Sequence, residues 1–244
     1  MTLFITSSPF VDGADRAILD PQNGLIHRLK ASLPEFPRCL YICSSPDRRD
    51  LNCRFGADVF QIFAEAGMPF SSYAVLDGFN KEAAADLIAS SDLIVLAGGH
   101  VPTQNAFFHQ IHLRTLLKNY PGVVLGISAG SMNMADTVYV QPEEPGESID
   151  PNYQRFAPGL GLTQINICPH YQKVKEAFLD GKRLFEDITY GDSMGRTFYA
   201  LPDGSYFYQD DEQLLLCGRA WRIRNGILEL LTLEEEVLDM KKLN

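Results

Sequence analysis

Apolar runs alternate with amphipathic segments along the first half of the chain. The runs predict strands at residues 3–6, 39–43, 73–76, 93–97 and 122–127, and the segments between them predict helices at residues 22–33, 52–67, 81–90 and 102–119. In the second helix we expect Phe55, Val59, Phe60 and Phe63 to face inward. Strands that alternate with helices are typical of parallel pairing with right-handed crossovers and helices on both faces. The pattern predicts a three-layer α/β fold with a mainly parallel sheet.

The pattern changes after residue 135. Residues 141–151 are polar and rich in proline, which predicts a surface loop or flap near the site. Residues 162–168 alternate as a strand, and residues 172–188 follow as a predicted helix. The last third predicts an antiparallel β extension, because turn residues separate short apolar runs at 197–200, 205–209, 214–217, 220–224 and 227–230.

One stretch carries the strongest chemical signal. Residues 122–135 combine a buried strand, the turn Gly126-Ile-Ser128-Ala-Gly130 and the start of a helix. This arrangement raises a serine hydroxyl above the end of a sheet. Because a serine is a poor nucleophile until a base takes its proton, the hypothesis of a nucleophilic Ser128 requires a base.

His170 is the predicted base, because it follows a strand in an irregular Pro-His-Tyr turn at the sheet edge where Ser128 also emerges. His100 competes for this role, since it follows the strand end at Gly98 and Gly99. The Gly98-Gly99 turn exposes backbone N–H groups. We expect the N–H groups of Gly99 and Ala129 to form an oxyanion hole.

Composition narrows the possible partners. The 244 residues fit a single domain, 1–244, and the net charge of −10 argues against nucleic acid and anionic membranes. The five cysteines are scattered without paired metal or redox spacing, so we expect reduced, mostly buried thiols and no metal. The N-terminus has no basic leader and no apolar run approaches a membrane span, so we expect a cytoplasmic protein.

Three motifs together resemble the peptidase E and cyanophycinase family of serine peptidases. They are Ala97-Gly-Gly-His100, Gly126-Ile-Ser128-Ala-Gly130-Ser-Met-Asn, and Asn166-Ile-Cys-Pro-His170-Tyr. The resemblance follows the order of elements over nearly the whole chain. It implies a flavodoxin-like sheet related to class I glutamine amidotransferases, a serine nucleophile in place of their cysteine, and no metal or organic cofactor.

The resemblance also suggests an acidic residue that orients His170. Cyanophycinase-like members place it in a turn before a C-terminal strand, which corresponds to Asp203 in this chain. Peptidase E has been assigned an aspartate in the loop after the serine, which corresponds to Glu143. We favour Asp203 because a turn between strands holds a carboxylate more firmly than a loop does, although Pro-Asp-Gly is also a common turn sequence.

The chain departs from the family beside the glycines, where family members have Asn-Thr or Asp-Gln. Here Gly98 and Gly99 precede His100-Val-Pro-Thr-Gln104, so we expect Gly98, His100 and Gln104 to contact substrate. The departure puts in doubt the preference for N-terminal or β-linked aspartyl residues that the resemblance implies. A carboxylate on the substrate favours an arginine, and the sequence leaves Arg155, Arg183 and Arg196 open.

The sequence therefore predicts a serine peptidase that acts on a small peptide. An esterase of the α/β-hydrolase type is the first alternative, but its histidine comes late in the chain, whereas the last histidine here is His170. A binding module that kept the fold and lost its activity is the second. The oligomeric state, a monomer or a homodimer, stays open.

Overall fold

The computed structural model describes residues 1–11 and 16–242. Their strands form mainly where the sequence has short apolar runs, since both faces of the sheet are covered. In chain order these strands are β1 (Thr2–Thr6), β2 (Arg38–Ile42), β3 (Ser72–Leu76), β4 (Leu93–Leu96), β5 (Val123–Ile127), β6 (Thr137–Tyr139), β7 (Phe156–Pro158), β8 (Ile167–Cys168), β9 (Phe178–Leu179), β10 (Lys182–Arg183), β11 (Thr197–Ala200), β12 (Tyr206–Gln209), β13 (Leu214–Cys217), β14 (Ala220–Arg224), β15 (Ile227–Thr232) and β16 (Val237–Asp239).

The helices of the described chain are mostly short. They are α1 (Leu25–Ser32), α2 (Arg49–Glu65), α3 (Ala84–Ala89), α4 (Val101–Gln110), α5 (Leu113–Leu117), α6 (Ala129–Met132), α7 (Tyr171–Val174) and α8 (Tyr190–Asp192). Turns of 3-10 helix lie at Gln22–Gly24, Lys81–Ala83 and Met240–Lys242, and a π-helical turn spans Leu184–Thr189.

An eight-stranded sheet forms the centre of the molecule, in the order β16-β13-β12-β1-β5-β4-β2-β3. The pairs β1·β5, β5·β4, β4·β2 and β2·β3 are parallel, whereas β12, β13 and β16 continue the sheet in antiparallel pairs. All four side chains of β4 are fully buried, so the core covers both faces of the sheet. The structure confirms the α/β fold with a mainly parallel central sheet and an antiparallel C-terminal extension.

A second sheet of four strands has the order β15-β14-β11-β8. Its β8 and β11 are parallel, with Ile167 opposite Tyr199 and Cys168 opposite Ala200. A hydrophobic cluster supports these strands, and its fully buried members include Phe185 and Phe198. The carboxyl ends of β8 and β11 therefore lie side by side above a packed core.

The helix predicted over residues 102–119 is divided. α4 ends at Gln110 and α5 begins at Leu113, because His112 between them adopts a left-handed conformation with φ 53°. Such a conformation cannot continue a right-handed helix. No glycine or proline marks this break in the sequence, and the prediction of one continuous helix is wrong.

The helix predicted over residues 172–188 is also wrong. The structure has the short helix α7, the hairpin of β9 and β10, and the π-helical turn. Asp180 and Gly181 form the hairpin turn with φ 51° and 80°, which interrupts any helix. The regular spacing of apolar residues here reflects packing of separate pieces onto the second cluster.

Two smaller predictions also differ from the structure. Phe55 is 47% exposed, whereas the buried face of α2 includes Gly56, Val59 and Phe63. A Cβ on Gly56 would lie 2.5 Å from Val75 Cγ2, so this glycine allows the helix to approach β3 closely, and the adjacent Phe55 lies outside that contact. The strand predicted over residues 162–168 is reduced to Ile167–Cys168, because the Thr163 hydroxyl accepts the N–H of Ile165 and bends the chain.

All five cysteines are free thiols, and four of them are buried, while Cys53 is exposed. Burial raises the pKa of Cys43 to about 12. In the described part of the chain, the helices are too short or too polar to span a bilayer.

Candidate active site

The predicted site residues lie at the carboxyl ends of strands from both sheets. Ser128 follows β5, and the Gly98–Gly99 turn follows β4 beside it. His170 and Asp203 come shortly after β8 and β11, which are parallel neighbours. Because parallel strands end at one edge of a sheet, the fold brings together groups that are far apart in sequence.

Ser128 adopts an unusual backbone conformation, with φ 51° and ψ −111°. Its N–H donates to the carbonyls of Thr6 (3.1 Å) and Ser7 (2.9 Å), which fixes the turn to the end of β1. A side chain at either flanking glycine would clash with the backbone. A Cβ on Gly126 would lie 2.7 Å from Ser131 Cα, and one on Gly130 would meet the Leu96 carbonyl. The turn is therefore a strained strand-to-helix connection that presents a serine.

The imidazole of His170 lies between the serine and a carboxylate. Its Nε2 is 2.9 Å from Ser128 Oγ, and its Nδ1 is 2.7 Å from Asp203 Oδ1. An ionised carboxylate only accepts hydrogen bonds, so the Nδ1 proton is assigned to the Asp203 side of the ring. Nε2 is then left unprotonated and can accept the Ser128 hydroxyl proton.

Asp203 is held by hydrogen bonds on both carboxylate oxygens. Oδ1 accepts hydrogen bonds from His170 and Ser7. Oδ2 accepts hydrogen bonds from Gln172 Nε2 and from Lys173 Nζ, both at 2.8 Å. Its side chain is only 4% exposed. Burial by itself opposes ionisation, but the hydrogen bonds from His170, Lys173 and Ser7 outweigh it and lower the pKa of Asp203 well below its usual range. The carboxylate is therefore ionised at neutral pH.

Sequence reasoning missed Ser7, which is fully buried at the end of β1. Its hydroxyl donates to Asp203 Oδ1 (2.9 Å) and accepts the main-chain N–H of His170 (2.7 Å). The available signal was its position, because Ser7 directly follows β1, which pairs with β5, the strand that Ser128 directly follows. Gln172 and Lys173 were also missed; they lie in the short helix α7, which turns them toward Asp203.

The predicted oxyanion donors, Gly99 and Ala129, are both backbone amides without protein acceptors within residues 1–11 and 16–242. Ala129 is the first residue of α6, where an amide has no intrahelical partner. Gly99 has φ 151°, and a Cβ there would lie 2.6 Å from Ser44 Cβ. A Cβ on the neighbouring Gly98 would lie 3.6 Å from Ser128 Cβ, so the Gly98–Gly99 turn adjoins the serine.

His100 contacts other groups than the serine hydroxyl. Its Nδ1 is 2.8 Å from Thr103 Oγ1, and its Nε2 is 2.9 Å from Glu147 Oε1. Glu143 reaches the start of α4 from the loop of residues 141–151. Its carboxylate accepts the Val101 N–H there at 3.3 Å. The histidine that contacts Ser128 is thus His170, and the carboxylate that contacts His170 is Asp203.

Gln104, which we expected to contact substrate, has no exposed surface. Its Nε2 donates a hydrogen bond to the Ala97 carbonyl at 2.7 Å, and its Oε1 accepts one from Asn133 Nδ2 at 3.1 Å. Both ends of the amide are occupied by protein groups. The structure therefore corrects this expectation: Gln104 supports the chain just before the Gly98–Gly99 turn and is closed to substrate.

Metal-binding clusters were sought across the described residues. No group of three or more His, Cys, Asp or Glu side chains within residues 1–11 and 16–242 could hold a metal ion.

Two solved structures share the fold over nearly their whole lengths. The first, a peptidase from an acI-B1 Actinobacterium, is 17% identical with a TM-score of 0.65, and the alignment covers 98% of this chain and 96% of that one. The second, a protein provisionally named peptidase E from Listeria monocytogenes EGD-e, is 13% identical with a TM-score of 0.59, covering 95% and 98%. At these identities the likeness shows the fold.

Sequence comparison identifies the family. Comparison with curated proteins gives no significant match. The family model of Peptidase family S51 matches residues 37–217, which is most of the chain and includes Ser128, His170 and Asp203. The chain therefore belongs to peptidase family S51 and is a hydrolase of the serine peptidase type.

Proposed function

We propose that the chain hydrolyses short peptides with Ser128 as nucleophile, His170 as general base and acid, and Asp203 as the residue that orients His170. The observation that carries the proposal is the position of the His170 ring, 2.9 Å from the Ser128 hydroxyl and 2.7 Å from the Asp203 carboxylate. A serine that contacts a histidine, which in turn contacts an acid, forms a working nucleophile on many unrelated folds.

The proposed reaction proceeds in two stages. In the first, Ser128 Oγ attacks the peptide carbonyl while His170 Nε2 takes its proton, and the N–H groups of Gly99 and Ala129 stabilise the negative oxygen. His170 then gives the proton to the departing amine. In the second, His170 takes a proton from water, which attacks the acyl ester on Ser128. His170 then returns that proton to Ser128 Oγ as the ester bond breaks and the new carboxylic acid leaves. Asp203 stabilises the imidazolium that forms in each stage.

The substrate is proposed to be a small peptide, and the three candidate arginines bear on whether it carries an aspartyl residue. Arg183 is committed to Asp187 through two hydrogen bonds of 2.7 and 3.1 Å. Arg196 lies over the Phe156 ring at 4.0 Å, and Arg155 points toward Asp192 at 3.8 Å. Of the three, Arg183 is the one whose hydrogen bonds a free acidic side chain would have to displace, whereas Arg155 Nη1 has no hydrogen-bond partner among the described residues. A cytoplasmic location stays a prediction from the sequence.

Labelling with a fluorophosphonate probe tests the nucleophile directly, because such probes react with activated serines. We expect the wild type to be labelled and the Ser128→Ala and His170→Ala variants to stay unlabelled. A matched control is Ser131→Ala, which removes a nearby buried hydroxyl that bonds the Thr6 carbonyl. Labelling of the Ser128→Ala variant, or none of a folded wild type, would reject the assignment.

Substrate preference is tested with pairs of dipeptides that differ only in charge, such as Asp-Leu and Asn-Leu. A preference for N-terminal aspartate predicts that the Asp-Leu peptide is cleaved with much higher kcat/KM. Equal turnover of both peptides would reject aspartyl specificity and leave the peptidase assignment intact. Turnover of neither, together with rapid hydrolysis of a small ester, would favour the esterase.

A further inference from the structure

A cavity of about 480 Å³ is lined in part by Asp203. Its walls come from the helix that follows His170, the turn that carries Asp203, and the start of β14. Neither Ser128 nor His170 lines it. The side chains that carry the argument below are Tyr171, Gln172, Lys175, Arg219, Trp221 and Glu234.

Two cationic side chains, Lys175 and Arg219, line this cavity beside two acidic ones, Asp203 and Glu234. Asp203 is neutralised within the site, because its two oxygens accept from His170, Ser7, Gln172 and Lys173. Arg219 is paired with one exposed acid, Glu234 Oε2, through Nη2 at 2.6 Å. The ammonium group of Lys175 adds a further positive charge, and its ion-pair partner Glu176 is 3.7 Å away and 87% exposed. Because the oxygens of Asp203 are already occupied, Arg219 and Lys175 are the cationic groups at this cavity that a ligand carboxylate could bind.

The cavity also has an aromatic wall, made of two rings inclined at 53° to each other. The rings of Trp221 and Tyr171 pack at 4.9 Å between centroids, and the Arg219 guanidinium lies 5.7 Å from the Trp221 ring. Aromatic faces bind flat apolar groups, and an arginine beside them can bind a carboxylate. The cationic side chains and the aromatic rings therefore line the same cavity.

We propose that this cavity is a second binding site, for a small molecule that carries a carboxylate beside a flat apolar group, such as a peptide C-terminus with an aromatic last residue. The carboxylate is bound by Arg219 and Lys175, and the ring packs on Trp221 and Tyr171. The site adjoins Asp203, the residue that orients His170, because the Gln172 amide that lines it both donates to Asp203 Oδ2 and accepts the Asp203 N–H. The proposal does not depend on hydrolysis.

The single tryptophan of the chain, Trp221, reports binding directly by its fluorescence. The probe is N-acetylphenylalanine, and the matched control is its amide, which has the same ring and lacks the carboxylate. Titrations use full-length protein in the Ser128→Ala background, which removes turnover of the probe. We expect a saturable change in Trp221 fluorescence with the acid and at least about fivefold weaker binding of the amide.

Two charge variants locate the site through opposite effects. Arg219→Gln should weaken binding of the acid about fivefold or more, whereas Glu234→Gln should tighten it about twofold to fivefold, because it removes the competing carboxylate. General loss of structure could not tighten binding, so the second variant keeps the test decisive if the first folds poorly. The proposal is overturned if the amide binds as well as the acid, if no saturable change occurs, or if both variants shift binding in the same direction.

Discussion

The hydroxyl of Ser7 donates a hydrogen bond to Asp203 Oδ1 at 2.9 Å, although the two residues are 196 positions apart in the sequence. The same hydroxyl accepts the main-chain N–H of His170 at 2.7 Å. The carbonyl of Ser7 in turn accepts the N–H of Ser128. One buried residue at the end of β1 thus contacts all three members of the proposed catalytic triad, which makes it a positioning residue.

Replacing Ser7 with alanine should reduce kcat about tenfold, because loss of one or two buried hydrogen bonds of roughly 1 kcal/mol each lets Asp203 and His170 shift. KM should change little, since Ser7 has no exposed surface through which to contact substrate. Steady-state kinetics and thermal unfolding check this. Ser8→Ala is the matched control, because the hydroxyl of this neighbouring residue accepts the Phe10 N–H. Equal effects of the two variants would contradict a positioning role for Ser7.

Asp203→Asn and Glu143→Gln discriminate between the two candidate acids. The amide that Asp203→Asn introduces would favour the wrong His170 tautomer, so kcat should fall roughly 10³–10⁴-fold. Glu143→Gln should leave kcat within about threefold, because Glu143 accepts the Val101 N–H and does not contact His170. The measurement is kcat on one peptide at neutral pH. A large loss in the Glu143 variant with retained activity in the Asp203 variant would reverse the assignment.

The depressed pKa of Asp203 predicts how stability depends on pH. An ionised group whose folded pKa lies below its unfolded value, about 3.9 for aspartate, stabilises the fold above that value. The contribution is lost as pH falls below about 4, where the unfolded chain takes up the proton first. Urea unfolding at neutral pH and at about pH 3 should therefore show a steeper loss of stability in the wild type than in Asp203→Asn. Parallel losses would show that Asp203 has an ordinary pKa in the folded state.

The sequence located the strand ends well because buried parallel strands are continuous apolar runs. The runs before Ser128 and before Gly98 are such strands, so their carboxyl ends could be placed at one edge. His170 was predicted for a similar reason, although its strand proved to have only two residues. Asp203 was favoured because the tight turn that carries it joins two strands, and the structure has β11 and β12 there.

The rest of the site depends on packing that the sequence does not record. Ser7 looks like an ordinary loop residue until β1 is known to lie between β5 and β12. Gln104 looks available until its amide is found bonded to Ala97 and Asn133. The left-handed turn at His112 similarly has no glycine or asparagine to announce it. In each case the partner is remote in sequence or the conformation is uncommon for the residue.

Gly126→Ala should damage the nucleophile turn through sterics alone. The new Cβ would lie 2.6 Å from Ser131 Oγ and 2.7 Å from Ser131 N, and the backbone atom cannot move without displacing α6. Overpacking of this kind costs about 1–3 kcal/mol, and labelling of Ser128 should be lost with it. Gly191→Ala is the control, because nothing lies within 4 Å of a Cβ there and its φ is not positive. Unfolding free energies and probe labelling compare the two, and equal effects would contradict the steric argument.

Glu147 holds the loop of residues 141–150 next to the Gly98–Gly99 turn. Its Oε2 accepts the N–H groups of Glu143 (2.8 Å) and Glu144 (3.0 Å), while its Oε1 contacts His100 Nε2 at 2.9 Å. Burial raises the pKa of Glu147, but these hydrogen bonds outweigh it and lower the pKa overall. The loop is thus fastened by a carboxylate that is ionised at neutral pH.

Glu147→Ala should release this loop. Two backbone N–H groups and the His100 ring would lose their partner, which costs about 1–3 kcal/mol of local stability and speeds amide exchange across residues 141–150. Because His100 directly follows Gly99, we expect a released loop to weaken substrate binding. KM should rise several-fold as local stability is lost, with a smaller change in kcat. Glu144→Ala is the matched control within the same loop, since its backbone N–H, and not its side chain, bonds to Glu147. Faster exchange with unchanged KM would show that the loop is fastened by Glu147 but does not contribute to substrate binding.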